Sequence, residues 1–240
     1  MRESEVAGAA KVESAVFVAA VKQKSMHKIV LTFDDGPDPE HTPRILDLLA
    51  EEDVPALFFV VGERLRRPGA LDIVRRAASA GHLIGNHTFS HANLTELSSE
   101  DIRTQILRTH DLIAEFEPKK KLFRPPYGAC NKIILDIAKS LNYKTVLWNV
   151  NSMDWKAENH PSEWVDIAIE QIRVRHLAIC LCHDLGHTAD HLPQLFERVK
   201  QLQNRQFVRY DRRRDLRWLV EGANQRARDW LKTANSPGLK

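Results

Sequence analysis

Lys28-Ile29-Val30-Leu31-Thr32-Phe33-Asp34-Asp35-Gly36-Pro37 decides how the rest of this 240-residue chain is read. An apolar run with strand character delivers two adjacent carboxylates to a turn that Gly36 and Pro37 enforce. Some fifty residues on, His87-Thr88-Phe89-Ser90-His91 offers two imidazoles four positions apart, a spacing that can grip one metal ion together with a carboxylate. One acid of the pair can then bind while its neighbour stays free as a base. Each element alone is weak, because Asp-Asp is common in polar turns and His-x3-His arises easily among 11 histidines. His187 and His191 repeat the spacing and show how cheap it is.

Outward from that run, segments of strand and helix character alternate, which implies a parallel sheet. Strands are expected at 28–33, 56–61, 82–86, 122–124, 144–150, 177–183 and 206–210. Helices are expected near 42–52, 69–80, 98–117, 131–141, 161–175, 190–203 and 216–232. The third has the clearest signature, with Ser98 or Ser99 as N-cap, Glu100 and Asp101 in the first turn, and Ile102, Ile106, Thr109, Ile113 and Phe116 at helical spacing. Residues 1–26 read as an N-terminal extension, and 27–240 as one domain closed by a C-terminal helix. The expected fold is α/β, a distorted or incomplete barrel of seven to eight β/α units; a doubly wound open sheet is the competitor. Both place function at strand C-termini. Asp34 and Asp35, His87 and His91, Arg124, Asn151 and Asp154, and His183 all fall at such ends and so on one rim.

Composition narrows the function. Apolar residues make up 43% and charged residues 28%, as in a folded globular protein, and the net charge of +3 gives no case for nucleic acid. The arginines between 205 and 217 are interleaved with Asp211 and Asp215 and read as a solvated face. Three cysteines, Cys130, Cys180 and Cys182, argue against a disulfide-stapled secreted domain, and the last two alternate along an apolar strand as small core residues. No apolar run approaches the ~20 residues of a membrane span. Acidic residues precede the short apolar stretch at 15–21, which argues against a cleaved leader, so the sequence by itself reads as cytoplasmic.

At 124–128 two prolines stiffen an Arg-Pro-Pro-Tyr-Gly turn around Arg124 and Tyr127. At 148–155 a strand ends in amides, an acid and an indole; Trp148 reads as core and Trp155 as a rim residue. At 179–184 an apolar strand terminates in His183, the proton donor the rim otherwise lacks. His160, His187 and the remaining histidines read as structural or surface groups.

Taken together these segments resemble the polysaccharide deacetylases of carbohydrate esterase family 4, the NodB-like group, whose five motifs occur here in order at 32–37, 87–91, 124–128, 151–155 and 181–183. The resemblance covers about residues 28–210. It implies removal of acetyl groups from N-acetylglucosamine glycans such as chitin, chito-oligosaccharide or peptidoglycan, in a distorted barrel of about seven units. Carried over by position, it makes Asp34 the general base and Asp35, His87 and His91 the ligands of one divalent metal, commonly zinc, with cobalt, nickel or manganese as alternatives. Arg124 would hold Asp34, the Tyr127 N–H would face the oxyanion, Trp155 and Leu181 would form the acetyl pocket, and His183 would protonate the leaving amine. The fourth motif usually opens with an aspartate that raises the basicity of the acid histidine, and here Asn151 stands there. The expectation is a lowered His183 pKa unless Asp154 or Asp184 supplies the charge. The rival readings are hydrolysis of another ester or amide, such as acetylxylan or a cyclic imide, and a catalytically silent glycan-binding protein; oligomeric state is not legible.

Overall fold

The computed structural model describes residues 26–208. The N-terminal extension, the C-terminal helix expected at 216–232 and most of the arginine-rich stretch lie outside them. Eight strands form one parallel sheet: β1 (His27–Asp34), β2 (Ala56–Val60), β3 (Leu83–Asn86), β4 (Lys121–Phe123), β5 (Tyr143–Thr145), β6 (Val150–Asn151), β7 (Leu177–His183) and β8 (Arg205–Phe207). The order is β5-β4-β3-β2-β1-β7-β6, with β8 pairing the first half of β1. Helices α1 (His41–Glu51), α2 (Ala70–Ser79), α3 (Ser99–Ile113), α4 (Lys132–Ser140), α5 (Glu163–Arg173) and α6 (Gly186–Lys200) form the connections. The sheet curls into an incomplete barrel, the expected fold.

Strand periodicity sorts the side chains into two layers. On β1, Ile29, Leu31 and Phe33 join Ala178, Cys180 and Cys182 of β7 in the core under the helices. Both cysteines are free and buried, the packing role their alternation suggests. The opposite face turns inward, where Val30, Leu57, Phe59, Leu83, Leu122, Val146 and Ile179 form a second apolar cluster. Ascending that inner face, Val30 gives way to Thr32 and then Asp34, and Ile179 to Leu181 and then His183. Polarity therefore rises toward the strand C-termini. The β1–β7 register sets Asp34 directly beside His183.

One expected strand is broken. Residues 144–150 divide into β5 and β6, which lie at opposite edges of the sheet, and residues 146–149 bridge the gap. Val146 N–H donates to Phe123 O at 2.8 Å, and Arg124 Nε donates to Val146 O at 2.9 Å. Across the gap the Asn149 amide imitates a peptide unit: its Oδ1 accepts from Ile179 N–H at 2.8 Å and its Nδ2 donates to Leu177 O at 2.8 Å. Here side-chain bonds supplement the backbone ones, among them Asn149 N–H to Ile179 O at 3.1 Å. Within the described residues the other elements differ from expectation by at most four residues at an end, the largest shifts being the end of α3 at Ile113 instead of 117 and the start of α6 at Gly186 instead of 190. No helix among the described residues is long and apolar enough to cross a membrane.

Candidate active site

The sequence-nominated residues converge at the C-terminal mouth of the barrel. A cavity of about 460 Å³ is lined by Asp34, Asp35, His87, His91, Tyr127, Trp148, Asn151, Trp155, Leu181, His183 and Leu185. Arg124 lies beneath it, fully buried. Its NH1 donates to Asp34 Oδ1 at 2.7 Å and to Thr32 Oγ1 at 2.8 Å, and its guanidinium covers the Phe59 ring at 4.2 Å. One oxygen of Asp34 is thus committed to a fixed cation, while Oδ2 lies 3.6 Å from His87 Nε2.

His87, at the end of β3, has its tautomer set by its surroundings. Its Nδ1 lies 2.6 Å from the Arg124 carbonyl, which can only accept, so Nδ1 carries the proton and Nε2 presents a lone pair. That lone pair faces Asp35 Oδ1 at 3.4 Å, with His91 Nε2 3.1 Å from the same oxygen. Asp35 Oδ1 is buried without a hydrogen-bond donor. An acceptor nitrogen aimed at an acceptor oxygen is repulsive unless a cation lies between them, and the three ligand atoms lie within 4.8 Å of one another. The donor set therefore fits a divalent ion of the zinc class, with oxygen and imidazole ligands and room for further ligands.

The turns that carry these groups are strained. Asp35 (φ 71°), Thr88 (φ 68°), His91 (φ 56°), Tyr127 (φ 60°) and Met153 (φ 57°) occupy the left-handed region without being glycine, at about 1 kcal/mol or more each. Specific bonds hold them. Gln105 Oε1, on α3, accepts from Phe89 N–H at 3.0 Å and Ser90 N–H at 2.9 Å, and Asn86 Oδ1 accepts from Thr88 N–H at 2.9 Å. The Asp35 turn rests on Gly36, where a Cβ would come within 2.0 Å of Asp184 Oδ2. Gly36→Ala is therefore expected to destabilise the fold by about 1–3 kcal/mol and to lower the midpoint in a thermal melt by several degrees, with weakened zinc binding by calorimetry.

His183 finds its carboxylate partner in Asp154. Asn151 does not take up the ring; its Oδ1 accepts from Met153 N–H at 3.1 Å. Asp154, completely buried, takes it up instead: its Oδ1 lies 2.7 Å from His183 Nδ1, and its Oδ2 accepts from His183 N–H at 2.7 Å and Thr188 Oγ1 at 2.8 Å. Burial alone would lower the pKa of His183, but the Asp154 carboxylate, with Asp34 and Asp35 behind it, raises it to about 9. Of the two residues expected to be able to make up for Asn151, Asp154 supplies the charge, and the loss of basicity does not arise. Asp184, the other candidate for that charge, accepts from Thr42 Oγ1 at 2.5 Å; burial raises its carboxyl to about 7.

Trp148, expected in the core, is a half-buried cavity wall whose ring packs on Gly128. Tyr127 and Trp155 stand at the mouth, 68% and 55% exposed. Sequence reasoning also missed Leu185 and the Thr188 contact, whose only available signal was their position just beyond β7.

A family model for polysaccharide deacetylases matches residues 21–146. A peptidoglycan-N-acetylglucosamine deacetylase of Bacillus cereus is 43% identical over 132 residues, covering 54% of this chain and 46% of that protein, so the chain spans just under half of that relative. A chitooligosaccharide deacetylase of Rhizobium leguminosarum bv. trifolii is 38% identical over 159 residues, covering 65% of this chain and 71% of that one. Among solved structures, a CE4 family pseudoenzyme from Bacillus anthracis superposes with a TM-score of 0.69 at 26% identity, over 81% of this chain and 66% of that one. With the family's fold and motifs both present, this chain belongs to the polysaccharide deacetylase family.

Proposed function

We propose that the protein is a metal-dependent N-deacetylase of N-acetylglucosamine glycans, in the class of peptidoglycan or chito-oligosaccharide. The observation that carries this reading is the convergence of Asp35, His87 and His91 on one point, with an Asp34 oxygen and the His183 ring facing the same cavity. Asp35, His87 and His91 would hold the cation, which when bound supplies Lewis-acid polarisation of a carbonyl and lowers the pKa of water.

The remaining work falls to the chain. Asp34 Oδ2, the oxygen Arg124 leaves free, takes a proton from the attacking water as its oxygen adds to the acetamide carbon. Arg124 keeps the base aimed, holding its other oxygen at 2.7 Å. The Tyr127 N–H, on its left-handed turn, donates to the developing oxyanion. His183, protonated at neutral pH, gives its proton to the amine nitrogen as the C–N bond breaks, leaving acetate and a free amino sugar. Trp155 and Leu181 wall the methyl pocket, and Asn151 borders it.

The test is acetate release from N-acetylglucosamine oligomers by zinc-loaded protein, with acetylxylan run alongside. Dialysis against a chelator is expected to bring release to background, and zinc to restore it. Zinc bound without release from any substrate would favour a silent glycan-binding protein, in keeping with the likeness to a pseudoenzyme; release from acetylxylan alone would redirect the substrate assignment.

A further inference from the structure

Asp154 and Trp155 sit on a short segment after β6 in which side chains bond the backbone carbonyls, in addition to a turn bond from Lys156 N–H to Met153 O at 3.1 Å. Asn159 Nδ2 donates to Met153 O at 2.8 Å. Two imidazoles then converge on the next carbonyl: His187 Nε2 lies 2.6 Å and His160 Nε2 3.0 Å from Asp154 O. A carbonyl oxygen only accepts, so both nitrogens carry protons, and both of its lone pairs are used. The rings are in contact, with centroids 3.6 Å apart and planes inclined by 36°. His187 lies in the first turn of α6, and its neighbour Thr188 bonds the Asp154 carboxylate. Consecutive residues of one helix thus grip Asp154 at its backbone and at its side chain.

We propose that His160 and His187 are positioning residues, a double latch that fixes the Asp154–Trp155 peptide so that the Asp154 carboxylate stays on His183 and the Trp155 indole stays at the cavity mouth. The latch has strain to resist. Met153, one residue earlier, is held at φ 57°, and releasing the Asp154 carbonyl lets this turn relax toward ordinary backbone geometry and swing the carboxylate off the ring. Displacements of about 1 Å at such a group cost on the order of 100-fold in rate. The inference rests on the deacetylase reading for its kinetic consequence, though not for its structural one.

The experiment pairs kinetics with an NMR titration of the His183 ring in zinc-loaded protein. His183 faces Asp154 on this segment and Asp34 and Asp35 at the end of β1, and no latch variant alters any of them. In the double variant H160L/H187L, kcat on N-acetylglucosamine oligomers is expected to fall about tenfold or more, and the His183 midpoint to move down. H187Q, whose amide reaches about as far as Nε2, recovers most of the rate; H187N, with a shorter side chain, does not. An unchanged His183 midpoint in the double variant overturns the latch, as does equal behaviour of H187Q and H187N, the pair that decides if the double variant loses its thermal transition. Wild-type protein that releases no acetate sinks the deacetylase reading instead, and the titration still reports on the latch.

Discussion

Asp34→Asn is expected to lower kcat for acetate release by about 10²–10⁴-fold, the range for removal of a general base, with zinc still bound. The structure supplies the reason the two effects separate. Asp35, His87 and His91 could hold a cation without Asp34, whose Oδ1 is held instead by Arg124 at 2.7 Å. An amide oxygen can still accept that bond, but it cannot take a proton from water. The substitution also leaves the Arg124 charge, fully buried, without its counterion, and breaking such a pair costs about 3–5 kcal/mol. A lower melting temperature is therefore expected together with the rate loss. Assays well below the new midpoint, with zinc stoichiometry measured on the same sample, separate catalysis from unfolding. A variant that keeps wild-type kcat with zinc bound removes Asp34 from the role of base.

Much of this arrangement was legible in the sequence because a parallel β/α barrel turns strand ends into a common rim. Asp34, His87, Arg124 and His183 could be placed together by counting strands, without knowing any distance. What could not be read depended on contacts between remote segments. Residues 144–150 look like one strand, yet the chain must cross from β4 to β7 there, and Arg124 and the Asn149 amide take over bonds that a strand would have made. Trp148 rides on that crossing and so becomes a cavity wall. The partner of His183 was obscured for a similar reason. Asn151 suggested a missing charge, whereas the left-handed turn at Met153 brings Asp154 under the ring. That His160 and His187 share one carbonyl oxygen was not legible, because nothing local reveals that a loop and the first turn of α6 meet there.

Asp154→Asn is the sharpest test of how that rim is tuned. In the wild type, burial depresses the basicity of His183 but the Asp154 carboxylate more than offsets it, so the ring titrates near 9. With Asn the burial remains and the nearest charge is gone, leaving only Asp34 and Asp35 to offset it, so the ring should titrate well below 9, near its ordinary value of about 6.5. At pH 8 the protonated fraction then falls from about nine-tenths to a few per cent, a loss of about 30-fold in the acid form and a comparable loss in kcat/KM. Below about pH 6 both proteins hold the imidazolium and the deficit narrows. The stability consequence has a definite sign. A pKa raised on folding contributes stability that is fully present below the unfolded value of about 6.5 and is lost as pH rises through about 9. Urea melts of chelator-treated protein should accordingly show the variant weakened by a few kcal/mol at pH 6, with the part due to this proton vanishing by pH 10. An alkaline limb of the rate profile that stays in place on substitution would show that Asp154 does not set the acid, whatever its 2.7 Å contact.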